Sequence, residues 1–161
     1  MSLIRESLPS ECVLLLPLTY GGGPAKDSYM EKLERYIQQE GFKYEFFTNY
    51  LSQDGMFKLM RASNMFIHAQ ISDADSGSVK EFLLSGSIVL NGAWLSYDDL
   101  DRFEPRPYYA IKDMSSLPET ILLALSSGRP NVSTETIEAI RDLGWSRCIT
   151  AWDSYFLSCV K

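Results

Sequence analysis

Met65-Phe-Ile-His68, Val79-Lys-Glu-Phe-Leu-Leu84 and Ile88-Val-Leu90 decide the fold. The first and last are apolar runs of strand length. The segment between them reads as a helix, stopped by Gly86. Strand, helix and strand in that order predict two parallel strands joined by a crossover helix.

The same alternation extends in both directions. Cys12-Val-Leu-Leu-Leu-Pro-Leu18 is an uninterrupted apolar run, which predicts a strand covered on both faces. Gly21-Gly22-Gly23-Pro24 follows and reads as a turn, because it lacks both phosphate-loop glycine patterns. A helix is expected from Asp27 to Glu40, with Met30, Leu33 and Ile37 on one face and Gly41 as its stop. Tyr44 to Phe47 predicts a strand, and Asp54 to Ala62 a helix carrying Met56, Leu59 and Met60. Tyr108 to Ile111 predicts a fifth strand. Ser116-Leu-Pro-Glu119 spells a capping box with proline just inside the helix start. Ser133 or Thr134 opens a further helix closed by Gly144, and Trp145 to Val160 predicts the last. The reading is an α/β fold: a doubly wound, Rossmann-like parallel sheet with helices on both faces and a helical C-terminal tail. No repeat or composition shift divides residues 1–161, so one domain is expected.

The chain has 161 residues, 45% hydrophobic and 22% charged, enough apolar content to build a core. Its net charge of −6 argues against non-specific nucleic-acid binding, which rests on clustered Lys and Arg. A small anion is still possible, because a helix N-terminus supplies local positive potential. No apolar run approaches the ~20 residues of a membrane helix. Met1 to Pro9 contains Arg5 and Glu6 and no long apolar stretch, so no leader is expected. The three cysteines, Cys12, Cys148 and Cys159, include no C-x-x-C pair. Cys148 and Cys159 fall in one expected helix, roughly 16 Å apart, too far to bridge. Reduced thiols and a cytoplasmic location are the expectation.

In such a fold ligands sit beyond the carboxyl ends of the strands. That marks Thr19 to Lys26, Thr48 to Leu51 and Gln70 to Glu81. The richest stretch is Asp73-Ala-Asp-Ser-Gly-Ser-Val-Lys-Glu81. Ser76, Gly77 and Ser78 allow close approach to a helix start with unpaired N–H donors, which suits a phosphate. Asp73 and Glu81 bracket it with carboxylates able to accept from sugar hydroxyls. Structural readings stand beside these. Ser78-x-x-Glu81 also spells a capping box, Gly77 fits an ordinary turn, and Lys26 fits a solvated surface. His68, the sole histidine, reads as a core or rim residue rather than a base. One histidine and no cysteine cluster argue against zinc.

Asp73-x7-Glu81, then Gly86 and Ile88-Val-Leu90, resembles the donor-binding, C-terminal half of a GT-B glycosyltransferase of the group 1, family 4 retaining type. Leu59-Met-Arg-Ala-Ser-Asn-Met-Phe-Ile67 is similar to that family's helix-then-strand approach to the site. The resemblance spans roughly residues 12 to 125. It implies that Glu81 binds the ribose of a nucleotide-sugar and that Asp73 holds the transferred sugar. It also implies that Ser76, Gly77 and Ser78 receive the diphosphate, that Lys26 neutralises it, and that Thr48, Asn49 and Tyr50 line the base. Catalysis would need neither metal nor cofactor, leaving donors and cations to meet the leaving-group charge. Two departures bear on turnover. Asp73 is a methylene shorter than the family's usual Glu, and Tyr20 stands where an Arg is usual.

The partners this implies are a nucleotide-sugar and an acceptor-binding domain for which 161 residues leave no room, so little transfer by the chain alone is expected. Two other classes compete. Asp73-Ala-Asp75 spells the D-x-D of metal-dependent glycosyltransferases. Asp99-Leu-Asp101 spells it again in a polar turn that helix capping explains. A non-catalytic α/β interaction module is the other class. A phosphoacceptor version would need an acidic pair after the first strand, where the chain reads Pro17-Leu-Thr-Tyr20.

Overall fold

The computed structural model describes residues 8–19, 26–73 and 75–159. Within them β1 (Val13–Pro17), α1 (Lys26–Gln39), β2 (Lys43–Phe47), α2 (Gln53–Ala62), β3 (Met65–His68), α3 (Gly77–Ser85) and β4 (Ile88–Gly92) follow in order. Then come α4 (Asp98–Asp101), β5 (Tyr109–Ile111), α5 (Leu117–Ser127), α6 (Thr134–Asp142) and α7 (Trp145–Cys159). Every ladder is parallel, as strands alternating with helices require.

Among the described residues the strands form two sheets, β1–β2 and β3–β4–β5, with no ladder between them. In the larger sheet Phe66 pairs with Val89, and His68 with Asn91, while Asn91 in turn pairs with Ala110. Successive residues of β4 point to opposite faces. Val89 accordingly joins Met60 of α2, Val79, Phe82 and Leu83 of α3 and Ile140 of α6. Leu90 joins Ile111, Ile121 and Ala124, the last two from α5. Helices therefore cover both faces of this sheet. Phe66 stacks on Phe82 with ring centroids 4.0 Å apart, which fixes α3 over β3.

Local chemistry sets most boundaries. Ser52, Ser76 and Ser133 cap α2, α3 and α6 through their hydroxyls. Gly86 ends α3 at φ +100°, and Gly41 follows α1 at φ +70°.

Three expectations are corrected. The apolar run of β1 is not covered on both faces: Val13 is 45% exposed, and Leu14 to Leu16 are half-buried. Ser116 precedes α5 as its N-cap but makes no capping bond. Its hydroxyl donates to the Asp113 carbonyl instead, and the Asp113 carboxylate accepts from the Ser115 and Ser116 N–H groups. Asp99 and Asp101 are not caps either, because residues 98–101 form α4 themselves, after Tyr97, whose side chain makes no capping bond.

On α7, Ile149, Trp152, Tyr155, Phe156 and Leu157 are exposed, and Trp152 stacks on Phe156 at 5.6 Å. Cys148 and Cys159 both lie on this helix. No helix among the described residues is long and apolar enough to cross a membrane.

Candidate functional site

Two donors converge on Asp73 beyond the carboxyl end of β3. The Tyr97 hydroxyl donates to its Oδ2, and the Ser76 N–H donates to the same oxygen at 3.0 Å. His68 Nε2 lies 3.5 Å from it. The Tyr97 oxygen also accepts from the Ser76 N–H at 3.0 Å, so loop, helix start and tyrosine form one closed unit.

The sheet supplies its rear wall. His68 and Asn91 are register partners on adjacent strands, and His68 Nδ1 meets Asn91 Oδ1 at 2.8 Å. His68, Asn91 and Tyr97 are all buried, and the Tyr97 ring stands edge-on to the imidazole at 6.0 Å. Burial drives the Tyr97 hydroxyl well above the ordinary tyrosine range, and its bond to the Asp73 carboxylate drives it further. Next to Asn91, burial and a hydrogen bond to Asp101 push Tyr108 up to about 12, opposed by the Asn91 amide and Arg106.

A second charged group flanks the first. Lys80 Nζ lies 2.8 Å from Asp75 and 2.7 Å from Asp99. Burial disfavours its charge, but the two carboxylates outweigh that and raise its pKa. Asp75 holds its position at φ +60°, an uncommon backbone for a residue with a side chain. Beyond the strand ends lies an open hollow of about 320 Å³, lined by Ala69, Gln70, Ile71, Trp94, Asp113 and Met114. Trp94 is locked over it. Its Nε1 donates to the Gln70 carbonyl at 2.6 Å, and its ring lies where a Cβ on Gly92 would fall, within 2.7 Å.

The sequence-derived residues are distributed unevenly around this site. Asp73, Ser76 and Ser78 come together, because Ser76 Oγ accepts from the Ser78 N–H at 3.3 Å. The Ser76 and Ser78 N–H groups are thus both engaged within the helix start. Gly77 is exposed, with no atom within 4 Å of where its Cβ would be. Glu81 is exposed on the flank of α3 opposite buried Val79, Phe82 and Leu83. The helix is capped by Ser76, two residues earlier than a Ser78–Glu81 capping box requires. Lys26 opens α1, and Thr48, Asn49 and Tyr50 are exposed after β2, all on the smaller sheet. Tyr20 and Gly21 to Pro24 lie outside the described residues.

The two aspartates of Asp73-Ala-Asp75 diverge, one to Tyr97 and Ser76 and the other to Lys80. Asp101 pairs with Tyr108 and Arg106 while Asp99 turns to Lys80. Among the described residues no group of three or more His, Cys, Asp or Glu is placed to hold a metal ion.

Sequence reasoning did not single out Asn91, Tyr97 or Lys80. Only Asn91 carried a local signal, as an amide directly after the buried run of β4. No family model matches the chain, and no curated protein matches it either.

Proposed function

We propose that this chain is a donor-binding domain of the GT-B glycosyltransferase type, taking a nucleotide-diphosphate sugar at the carboxyl ends of β3 to β5. The observation that carries this reading is Asp73, a carboxylate 13% exposed, fixed by Tyr97 and the Ser76 N–H beside the start of α3. A carboxylate held in this way loses little freedom when it accepts from sugar hydroxyls. The open Gly77 lets a phosphate approach the N-terminal end of α3, where the helix dipole favours negative charge. Exposed Glu81 is available to a ribose. Lys26 contributes a cation, and Thr48, Asn49 and Tyr50 contribute the base contacts. A doubly wound sheet, with β1–β2 continuing β3–β5, belongs to the same reading. So do a cytoplasmic location, retention of configuration and acceptor recognition by a separate domain. The divergence of Asp73 and Asp75 favours the metal-independent form over a D-x-D site.

The test is a thermal-shift and calorimetric titration with uridine, guanosine and adenosine diphosphates, with and without chelator. One of them is expected to raise Tm at millimolar concentration regardless of chelator, since a ligand at ten times its Kd stabilises by about 1.4 kcal/mol. Glu81→Ala is expected to leave the ligand-free Tm unchanged and abolish that rise. No shift with any diphosphate would overturn the reading, and a shift lost on chelation would favour the D-x-D class. The exposed aromatic face of α7 favours a second reading, a non-catalytic interaction module, which predicts no response to any of the nucleotides.

A further inference from the structure

Trp94 is open to solvent, yet it is held along an edge and on a face. The chain turns at Gly92 to Leu95, where the Leu95 N–H donates to the Gly92 carbonyl at 3.0 Å and the Ala93 N–H to the Ile111 carbonyl at 2.8 Å. Buried Leu95 and Tyr97 root the segment in the larger core and leave Trp94 at the turn. Along one edge the indole Nε1 donates to the Gln70 carbonyl at 2.6 Å. A Cβ on Gly92 would lie 2.7, 2.7 and 3.0 Å from Cε2, Cζ2 and Cδ2, three contiguous ring atoms. A point so nearly equidistant from them lies over the ring plane. One face of the indole therefore covers Gly92, and the other is turned out, with the residue 40% exposed.

Trp94 forms one wall of the hollow beyond the strand ends. Ala69, Ile71 and Met114 add apolar surface, and Asp113 adds a carboxylate. That carboxylate is fixed through a single oxygen. Asp113 Oδ1 accepts from the Ser115 N–H at 2.9 Å, the Ser115 hydroxyl at 2.5 Å and the Ser116 N–H at 3.0 Å, and none of these bonds uses Oδ2. The Ser115 hydroxyl first, then the Ser116 N–H, hold the carboxyl below its usual range, while Lys112 beside it acts least. Among the described residues that line the hollow, none carries positive charge.

We propose that this hollow binds a methylated ammonium group, its charge set over the outer face of Trp94 and against Asp113. The electron-rich face of an indole attracts a cation, and Ile71 and Met114 offer apolar contact to the methyl groups. A primary ammonium or a guanidinium carries several N–H donors, and one fixed carboxylate would leave most of them facing carbon. A phosphate would meet only like charge here. A sugar would find one carboxylate and the Gln70 amide for a whole rim of hydroxyls. None of these residues is assigned to the nucleotide-sugar, so the site stands independently of that reading.

The test is a nitrogen-15 NMR titration of the full chain with choline, followed at the Trp94 indole N–H, which Trp94→Leu assigns among the three tryptophans. Choline is expected to give a saturable shift with a Kd in the millimolar range. The uncharged alcohol in which carbon replaces the choline nitrogen is expected to bind about tenfold more weakly. Asp113→Asn keeps an oxygen for Ser115 and Ser116 and removes the charge. It is expected to weaken choline about fivefold and to leave the alcohol unchanged. In Trp94→Leu, followed at the choline methyl resonance, binding is expected to vanish. No saturable shift with choline, or equal affinities for choline and the alcohol, would overturn the proposal. So would undiminished choline affinity in either variant, each checked for folding by circular dichroism. A methyl glucoside bound as tightly as choline would overturn it in favour of a sugar platform.

Discussion

The two sheets use the same strand-helix-strand pattern, yet only one of them closes a core. Around β3–β4–β5, Val89, Leu90, Leu100 and Ile111 are completely buried, and helices cover both faces. Around β1–β2, described residues up to Phe47 include just Ile37 and Phe42 as buried apolar side chains. The run of β1, Val13-Leu-Leu-Leu-Pro17, is no less apolar than Ile88-Val-Leu90 of β4, so its own composition does not leave β1 exposed. The covering elements do: α3, α5 and α6 seal the larger sheet, while Val13 stays 45% exposed. An apolar run states a demand for burial, and packing elsewhere in the chain meets it or leaves it unmet. The candidate site sits on the sealed sheet, where low solvent access strengthens its hydrogen bonds.

Truncation in the two cores tests this contrast most severely. Leu90→Ala is expected to cost about 2–5 kcal/mol in urea denaturation, as large-to-small changes in packed cores do. Leu15→Ala, in half-buried β1, is expected to cost only about 1 kcal/mol. Equal losses would show that the two sheets share one core.

Tyr97→Phe is the next largest change. It removes the hydroxyl that serves Asp73 and Ser76, and a loss of about 1–3 kcal/mol is expected for leaving buried groups short of a partner. Tyr44→Phe on the smaller sheet also breaks a carboxylate contact, to Glu34, but a less buried one than that of Tyr97. A smaller loss than at Tyr97 is expected there.

Alkaline titration separates the sheets by pH. Native Tyr97 and Tyr108 hold their protons more tightly than the unfolded chain does. Their contribution is whole below the ordinary tyrosine pKa of about 10 and is lost as pH rises through the native value. Stability followed by urea midpoint is therefore expected to fall above that point and through about 12, where Tyr108 ionises. Tyr108→Phe should flatten the fall, and Tyr44→Phe, whose hydroxyl is raised by its bond to Glu34 at a more open position, should flatten it less.

The smallest comparison uses two of the glycines that follow helices at positive φ. Gly41→Ala meets no neighbour within 4 Å and should cost about 1 kcal/mol for backbone strain alone. Gly86→Ala adds an approach of 3.3 Å to the Arg129 guanidinium and should cost somewhat more by thermal denaturation.

Much of this arrangement was legible in the sequence. Apart from α4, whose residues read as a polar turn, the strand and helix boundaries fall within about two residues of the apolar pattern, because periodicity and terminal residues act locally. Asp73 and Ser76 were legible for the same reason, at the junction of a strand and a helix. Tyr97 and Asn91 were not, because they join Asp73 and His68 only through register and the return of the chain toward α4. The capping box at Ser116 failed because Ser116 already has a helical backbone, φ −84° and ψ −7°, and its hydroxyl is engaged by the Asp113 backbone. Ser78 failed as a cap because Ser76 serves first.

The rung that pairs His68 with Asn91 has a consequence for how the sheet chooses its alignment. Parallel strands of nearly uniform apolar residues can slide past one another with little change in burial. β3 carries one polar side chain at its end, and β4 carries one amide at the matching position. Sliding by one residue would set the imidazole opposite Leu90 or Gly92 and turn the two polar groups to opposite faces. The imidazole and the amide would then lose each other as partners, a cost of about 1–3 kcal/mol for a buried group left unpaired. This single polar rung thus encodes the alignment of β3 on β4, in the way a lone buried asparagine fixes the pairing of two helices.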